Sequence, residues 1–181
     1  MKYFLEYIKQ TLRFVLKPMS FLPALIMMYA IFMFSSQEAG ESSKLSYDVG
    51  VTVLSIANDT FDRGWSSERI AQMSEQGQYY IRKAAHFTEY FLLAVSVAFP
   101  LYVYGVRGFL LVVTAGSFCI AYACLDEYHQ SFVAGRSPGK KDVIIDSCGV
   151  ILGVILTRII GWTGRMTIFR PLSGSGKNSR G

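Results

Sequence analysis

Cysteine is scarce in this chain and poorly spaced for a scaffold. Cys119, Cys124 and Cys148 are the three present, and none stands in a CxxC spacing. That excludes a zinc ribbon or a disulfide framework and predicts buried free thiols. A Cys124–Cys148 bridge near the outer ends of two apolar runs is the one pairing left open. The longest apolar runs also lack a polar stripe: neither Phe109-Leu110-Leu111-Val112-Val113 nor Val150-Ile151-Leu152-Gly153-Val154-Ile155-Leu156 contains a polar side chain. Helices of a soluble bundle show a polar face at helical spacing, so this absence argues for lipid as the solvent. An HExxH pair and a Gly-rich phosphate loop are missing as well, which removes two common routes to an assigned chemistry. Basic residues are split between two ends rather than gathered on one face, which excludes a nucleic-acid-binding surface.

What is present is hydrophobic. The 181 residues are 51% hydrophobic with a net charge of +5. Four apolar runs, Met19 to Phe34, Ala84 to Tyr104, Phe109 to Leu125 and Val143 to Ile160, approach the roughly 17–25 residues that cross a bilayer. The expected fold class is therefore all-α, an integral membrane four-helix bundle with short amphipathic extracytoplasmic helices. Residues 1–18 read as a cytoplasmic or interfacial N-terminal segment, 19–160 as the four-span membrane domain with an extracytoplasmic loop at about 37–83, and 161–181 as a disordered, basic cytoplasmic tail. Lys2, Lys9, Arg13 and Lys17 at the head, and Arg158, Arg165, Arg170, Lys177 and Arg180 at the tail, place both termini in the cytoplasm. The loop between the first two spans is acidic (Glu38, Glu41, Asp48, Asp59, Asp62, Glu68, Glu75), as a translocated loop permits, with Arg82 and Lys83 against the trend. The cell membrane is the implied location.

Within that loop Leu45, Val49, Thr52, Val53 and Ile56 recur at helical spacing, which predicts an amphipathic helix over Ser43 to Ala57. A turn at Asn58-Asp59 and Asp62-Arg63-Gly64 precedes a second helix starting at Ser66-Ser67-Glu68. The second span then carries His86 and Glu89 on one face. In the fourth span Asp142, Asp146, Gly149, Gly153 and Thr157 share a face on which the two glycines admit another helix closely. The same glycines offer a face for an oligomer. Asp146 is thereby buried and needs a partner, with Arg136 first and His86 or His129 as alternatives.

Collected by topology, Gln37, His86, Glu89, Asp126, Glu127, His129, Gln130, Arg136, Asp142 and Asp146 fall at one side of the membrane. Three uses fit them. His86, Glu89, Asp126, Glu127 and His129 are the catalytic candidates, as general acids and bases acting on a lipid-linked head group. Gln37, Gln130, Arg136, Asp142 and Asp146 are the ligand-binding candidates, with Arg136 as the anion contact. A divalent metal on His86-x-x-Glu89 and Asp126-x-x-His129 is the third use. No cofactor is implied, and a resident metal is the weakest of the three.

The ordered set Phe34-Ser35-Ser36-Gln37, Lys83-Ala84-Ala85-His86-Phe87-Thr88-Glu89-Tyr90, Asp126-Glu127-Tyr128-His129-Gln130-Ser131-Phe132, Gly135-Arg136-Ser137 and Asp142-Val143-Ile144-Ile145-Asp146-Ser147-Cys148-Gly149 resembles the VanZ-like family of small bacterial membrane proteins. That family is named for an accessory protein of glycopeptide resistance that lowers susceptibility to teicoplanin, and its biochemical activity is not established. The resemblance implies a cell-envelope role. A lipid-linked cell-wall precursor or the glycopeptide itself is then the expected partner, beside membrane lipid. Family members often carry Asn where this chain has Asp146.

Overall fold

The structure is a computed structural model that describes residue 7, residues 18–137 and residues 139–167. Most of the expected interfacial head and the tail from residue 168 lie outside the described residues. Five helices are laid out in full among the described residues, and no strand occurs among them: α1 (Leu22–Ser35), α2 (Ala39–Phe61), α3 (Ser67–Val103), α4 (Gly108–Gln130) and α5 (Lys140–Thr167).

Three of these, α3, α4 and α5, are long and apolar enough to cross a membrane. The first expected span is shorter than its apolar run. With 14 residues, α1 rises only about 21 Å, less than the roughly 30 Å of a hydrocarbon core. It passes as a span only together with α2, from which it is bent by 110°. By length and composition the described helices thus supply three candidate spans, or four if the bent α1–α2 pair counts as one. Its apolar surface faces outward: Leu25, Ile26 and Tyr29 on α1, Phe109 and Leu110 on α4, and Ile151 and Ile159 on α5 are all exposed. Water would not tolerate such a surface, whereas acyl chains solvate it.

Small side chains occupy the interior instead. Ala94, Ala98, Ala115, Cys119 and Ala123 are fully buried beside Tyr90, Leu93, Leu111 and Val150. In lipid, helix association depends on close packing rather than on removing apolar surface from water. The most extensive pairing is α3 on α5. A Cβ on Gly153 would sit 2.6 Å from the Phe91 carbonyl oxygen and 2.9 Å from the Ala94 Cβ. A Cβ on Gly149 would meet the Phe87 carbonyl oxygen still more closely. The face expected to dock a second copy through Gly149 and Gly153 is thus filled by α3 of the same chain. Cys124 and Cys148 are both exposed free thiols, unlike the burial and the bridge considered from sequence, while Cys119 is buried.

The connection between α1 and α3 also differs from its sequence reading. An amphipathic helix is present, but as α2 it extends to 23 residues. It packs on α3 through Ser42, Ser46 and Gly50, at steps of four, and leaves Leu45, Val49, Val53 and Ile56 exposed. Asn58 closes the turn: its carbonyl accepts from Arg63 N at 3.1 Å and its side chain from Trp65 N at 2.8 Å, with Asp62 left-handed at φ 48°. Ser66 caps α3 as expected, its hydroxyl accepting from Arg69 N at 3.3 Å. The second loop helix is not separate, however. Between Ser67 and the expected start of the second span at Ala84 there is no proline, and Gly77 alone does not interrupt the backbone ladder. One helix of 37 residues results.

Candidate functional site

Polar side chains converge where α1 and α4 end and α5 begins. Asp146 is fully buried there, with its Oδ1 3.8 Å from His86 Nδ1 of α3. Neither carboxylate oxygen has a hydrogen-bond partner among the described residues, and the buried Tyr90 hydroxyl has none either. From α4, Asp126, Glu127 and Gln130 are buried on the same side. Gln130 Nε2 donates to Asp126 Oδ2 at 3.3 Å, and Glu127 Oε2 accepts from Gly139 N at 3.0 Å. That last bond ties the end of α4 to the loop entering α5.

The loop carries Arg136, and its role is more specific than the sequence suggests. Its Nε donates to the Gln37 carbonyl at 3.0 Å and its Nη2 to the Phe34 carbonyl at 3.2 Å. A guanidinium here adds donors to carbonyls at and just beyond the end of α1, at the dipole's negative end. Ala39 N donates to Ala134 O at 3.3 Å and seals the same junction. Burial, and then the neighbouring Arg82 guanidinium, pull the Arg136 pKa below the ordinary arginine value, while Asp126, Glu127 and Glu89 push it back. Arg136 is therefore not the partner of Asp146, the role first expected of it. His86 takes that position.

Beside Arg136 lies a cavity of 210 Å³, whose walls include Ser35, Ser42 and Ser46, together with Arg82, His86 and Glu89. Arg82 and Arg136 both line it. Arg82 Nη2 reaches Ser43 Oγ at 3.5 Å, but its Nε is buried without a partner, as is Ser35 Oγ. Two guanidiniums against one carboxylate leave the wall net positive. Unsatisfied buried polar groups are costly, so a polar ligand partner beside them is favoured.

The ten expected residues differ in their local surroundings. His86, Glu89, Gln37 and Arg136 line the cavity. Asp142 instead pairs with Lys83, Oδ1 to Nζ, at 2.5 Å. His129 Nε2 lies 3.1 Å from Ser36 Oγ and its ring is 4.8 Å from that of Phe32. Asp126, Glu127, Gln130 and Asp146 form a buried layer behind the cavity and do not line it. His86 and Glu89 thus stay together in the cavity wall, while Asp126 and His129 go to separate partners, Gln130 and Ser36. Among the described residues no three His, Cys, Asp or Glu side chains are arranged to hold a metal ion.

The sequence reading missed Arg82, Ser42 and Ser46 as site residues, whereas Ser35, in the polar run that ends the first apolar stretch, was expected to contribute hydrogen bonds to a site there. A signal existed: Arg82, His86 and Glu89 are spaced four and three apart, one helical face. Ser42 and Ser46 similarly repeat at a step of four. A G-x-S-x-G nucleophile elbow was counted as absent, and that absence as favouring binding over catalysis, yet Gly135-Arg136-Ser137-Pro138-Gly139 has its letters. That elbow works on a strand-to-helix turn. Here the segment joins two helices, not a strand and a helix, and Ser137 is exposed.

Fold and site together define a small polytopic helical membrane protein with a polar, partly buried cluster at one end of its bundle. Residues 20–161 match the VanZ/LLP1 family, and the chain belongs to it. No curated protein matches the chain, and no solved structure does.

Proposed function

We propose that the cavity binds the anionic head of a cell-envelope component on the outer side of the cell membrane, with both termini in the cytoplasm. The carrying observation is the pair Arg82 and Arg136 in one wall, with Arg82 Nε and Ser35 Oγ buried and unpartnered. Arg136, held on the Gln37 and Phe34 carbonyls, keeps a positive field in the cavity, Arg82 supplies the donors, and Glu89 orients the head group by repulsion. A lipid-linked cell-wall precursor fits this chemistry, and its sequestration or presentation would connect the protein to teicoplanin susceptibility.

The test is binding of undecaprenyl phosphate, with undecaprenol as neutral control, to protein in phosphatidylcholine nanodiscs. The phosphate is expected to bind at least about tenfold more tightly, one charge-assisted contact being worth that much, and Arg82→Gln is expected to abolish the preference. Equal binding of the two polyprenyl probes, or an unchanged preference in Arg82→Gln, refutes the reading. In cells, Arg82→Gln at normal membrane level should fail to complement a deletion strain for teicoplanin susceptibility.

One observation favours a second reading. His86 lines the cavity with Asp146 behind it, 3.8 Å from Nδ1, an order that would suit an imidazole acting as general base in a membrane-embedded hydrolase or transferase. Turnover of the same phosphate probe, lost in His86→Ala with binding retained, would establish this reading over simple binding.

A further inference from the structure

The end of the bundle opposite the carboxylate cluster holds a second and larger cavity, of 490 Å³, at the C-terminal ends of α3 and α5 and the start of α4. Its walls include two cations, Arg107 and Arg158, two aromatics, Tyr102 and Trp162, and two aliphatic side chains, Ile155 and Ile159. Glu89 and Asp146 are the last acids of α3 and α5, and Asp126 is the first of α4. Measured along α5, Arg158 lies about 18 Å beyond Asp146. No described residue at this end carries a carboxylate, and neither arginine has an ion-pair partner among the described residues.

One of the two cations is nonetheless held in place. The Arg107 guanidinium stands 5.5 Å from the centroid of the Tyr102 ring, a favourable cation–π distance. That ring in turn lies so close to the α5 backbone that a Cβ on Gly161 would be 2.6 Å from it. Trp162 is 56% exposed and Ile159 52% exposed beside the cavity, so the site opens sideways to the surrounding lipid and not only to water. Aromatic residues at this depth mark the level of the head groups.

We propose that this cavity binds one anionic phospholipid from the adjoining leaflet, its phosphate between Arg107 and Arg158 and an acyl chain along Ile155 and Ile159. Charge complementarity selects the head group, since a basic pocket between spans with no acid of its own attracts an anionic lipid. The apolar, laterally open wall selects a lipid over a free anion. The site is independent of the cavity around Arg82 and Arg136, and it stands whichever way the chain is oriented.

The test uses the full chain carrying Trp65→Phe, which leaves Trp162 as the one indole. Protein is placed in phosphatidylcholine vesicles, and dibrominated phosphatidylglycerol or dibrominated phosphatidylcholine is added at matched mole fraction. Quenching of Trp162 by the brominated phosphatidylglycerol should half-saturate at least tenfold lower. Arg107→Gln with Arg158→Gln should remove the difference, and Arg158→Lys should keep most of it. Inorganic phosphate at millimolar concentration should not relieve the quenching. Equal quenching by the two lipids overturns the proposal, as does an unchanged preference in the double variant. Relief by inorganic phosphate would assign the site to a free anion and overturn the choice of lipid.

Discussion

Replacing Gly153 with Ala adds one methyl group where α5 touches α3. The added Cβ would lie 2.6 Å from Phe91 O and 2.9 Å from Ala94 Cβ, while ordinary contact begins at 3.4 Å. The helices must therefore separate locally by up to about 0.8 Å. The carbonyl is backbone and has no rotamer that moves it aside. Overpacking of this kind costs about 1–3 kcal/mol, and the gain in helix propensity from Gly to Ala returns about 1 kcal/mol. A net loss of about 0–2 kcal/mol against the wild type is expected, or about 1–3 kcal/mol against a Gly→Ala control that meets nothing. Gly116→Ala is the control, because nothing lies within 4 Å of its added Cβ. It should be neutral or slightly stabilising. Unfolding both variants by SDS in mixed micelles, followed by far-UV circular dichroism, measures the difference. A Gly153→Ala protein no less stable than Gly116→Ala would refute the close α3–α5 packing, and with it the burial of Asp146 on that face.

Two further perturbations address how the site is held. Lys83→Met removes the partner of Asp142 from a pair whose side chains are each 17% exposed. The loss should be about 1–2 kcal/mol, between the exposed and the fully buried limits; the exchange Lys83→Asp with Asp142→Lys should recover part of it in the same micelle titration. Arg136→Lys should destabilise nearly as much as Arg136→Ala, by roughly 2 kcal/mol. The reason is that an ammonium cannot reproduce the fork that reaches both Phe34 O and Gln37 O. Full thermal stability of Arg136→Lys in detergent would show that the fork is not what closes the end of α1.

Membrane residence, helical class and the location of the polar cluster were legible in the chain itself. They depend on composition and on periods of three and four, which are properties of local sequence. Lipid-facing helices need no polar stripe, and the Asp142, Asp146, Gly149, Gly153 face follows from helical geometry alone. The Ser66 cap and the Asn58 to Gly64 turn were legible for the same reason. What could not be read were the choices among partners. Arg136, His86 and His129 all stood close enough in topology to serve Asp146, and only the packed arrangement sends Arg136 to the α1 carbonyls and His129 to Ser36 while leaving His86 beside the acid. Likewise, nothing local distinguishes a Gly149–Gly153 face meeting a second copy from one meeting α3. Arg82 read as an orientation signal until α2 folded back and placed Ser42, Ser46 and Arg136 around it. Local pattern sets which groups must be buried. Which groups then meet is a contest between non-local contacts of similar energy, and it is decided only when the helices pack.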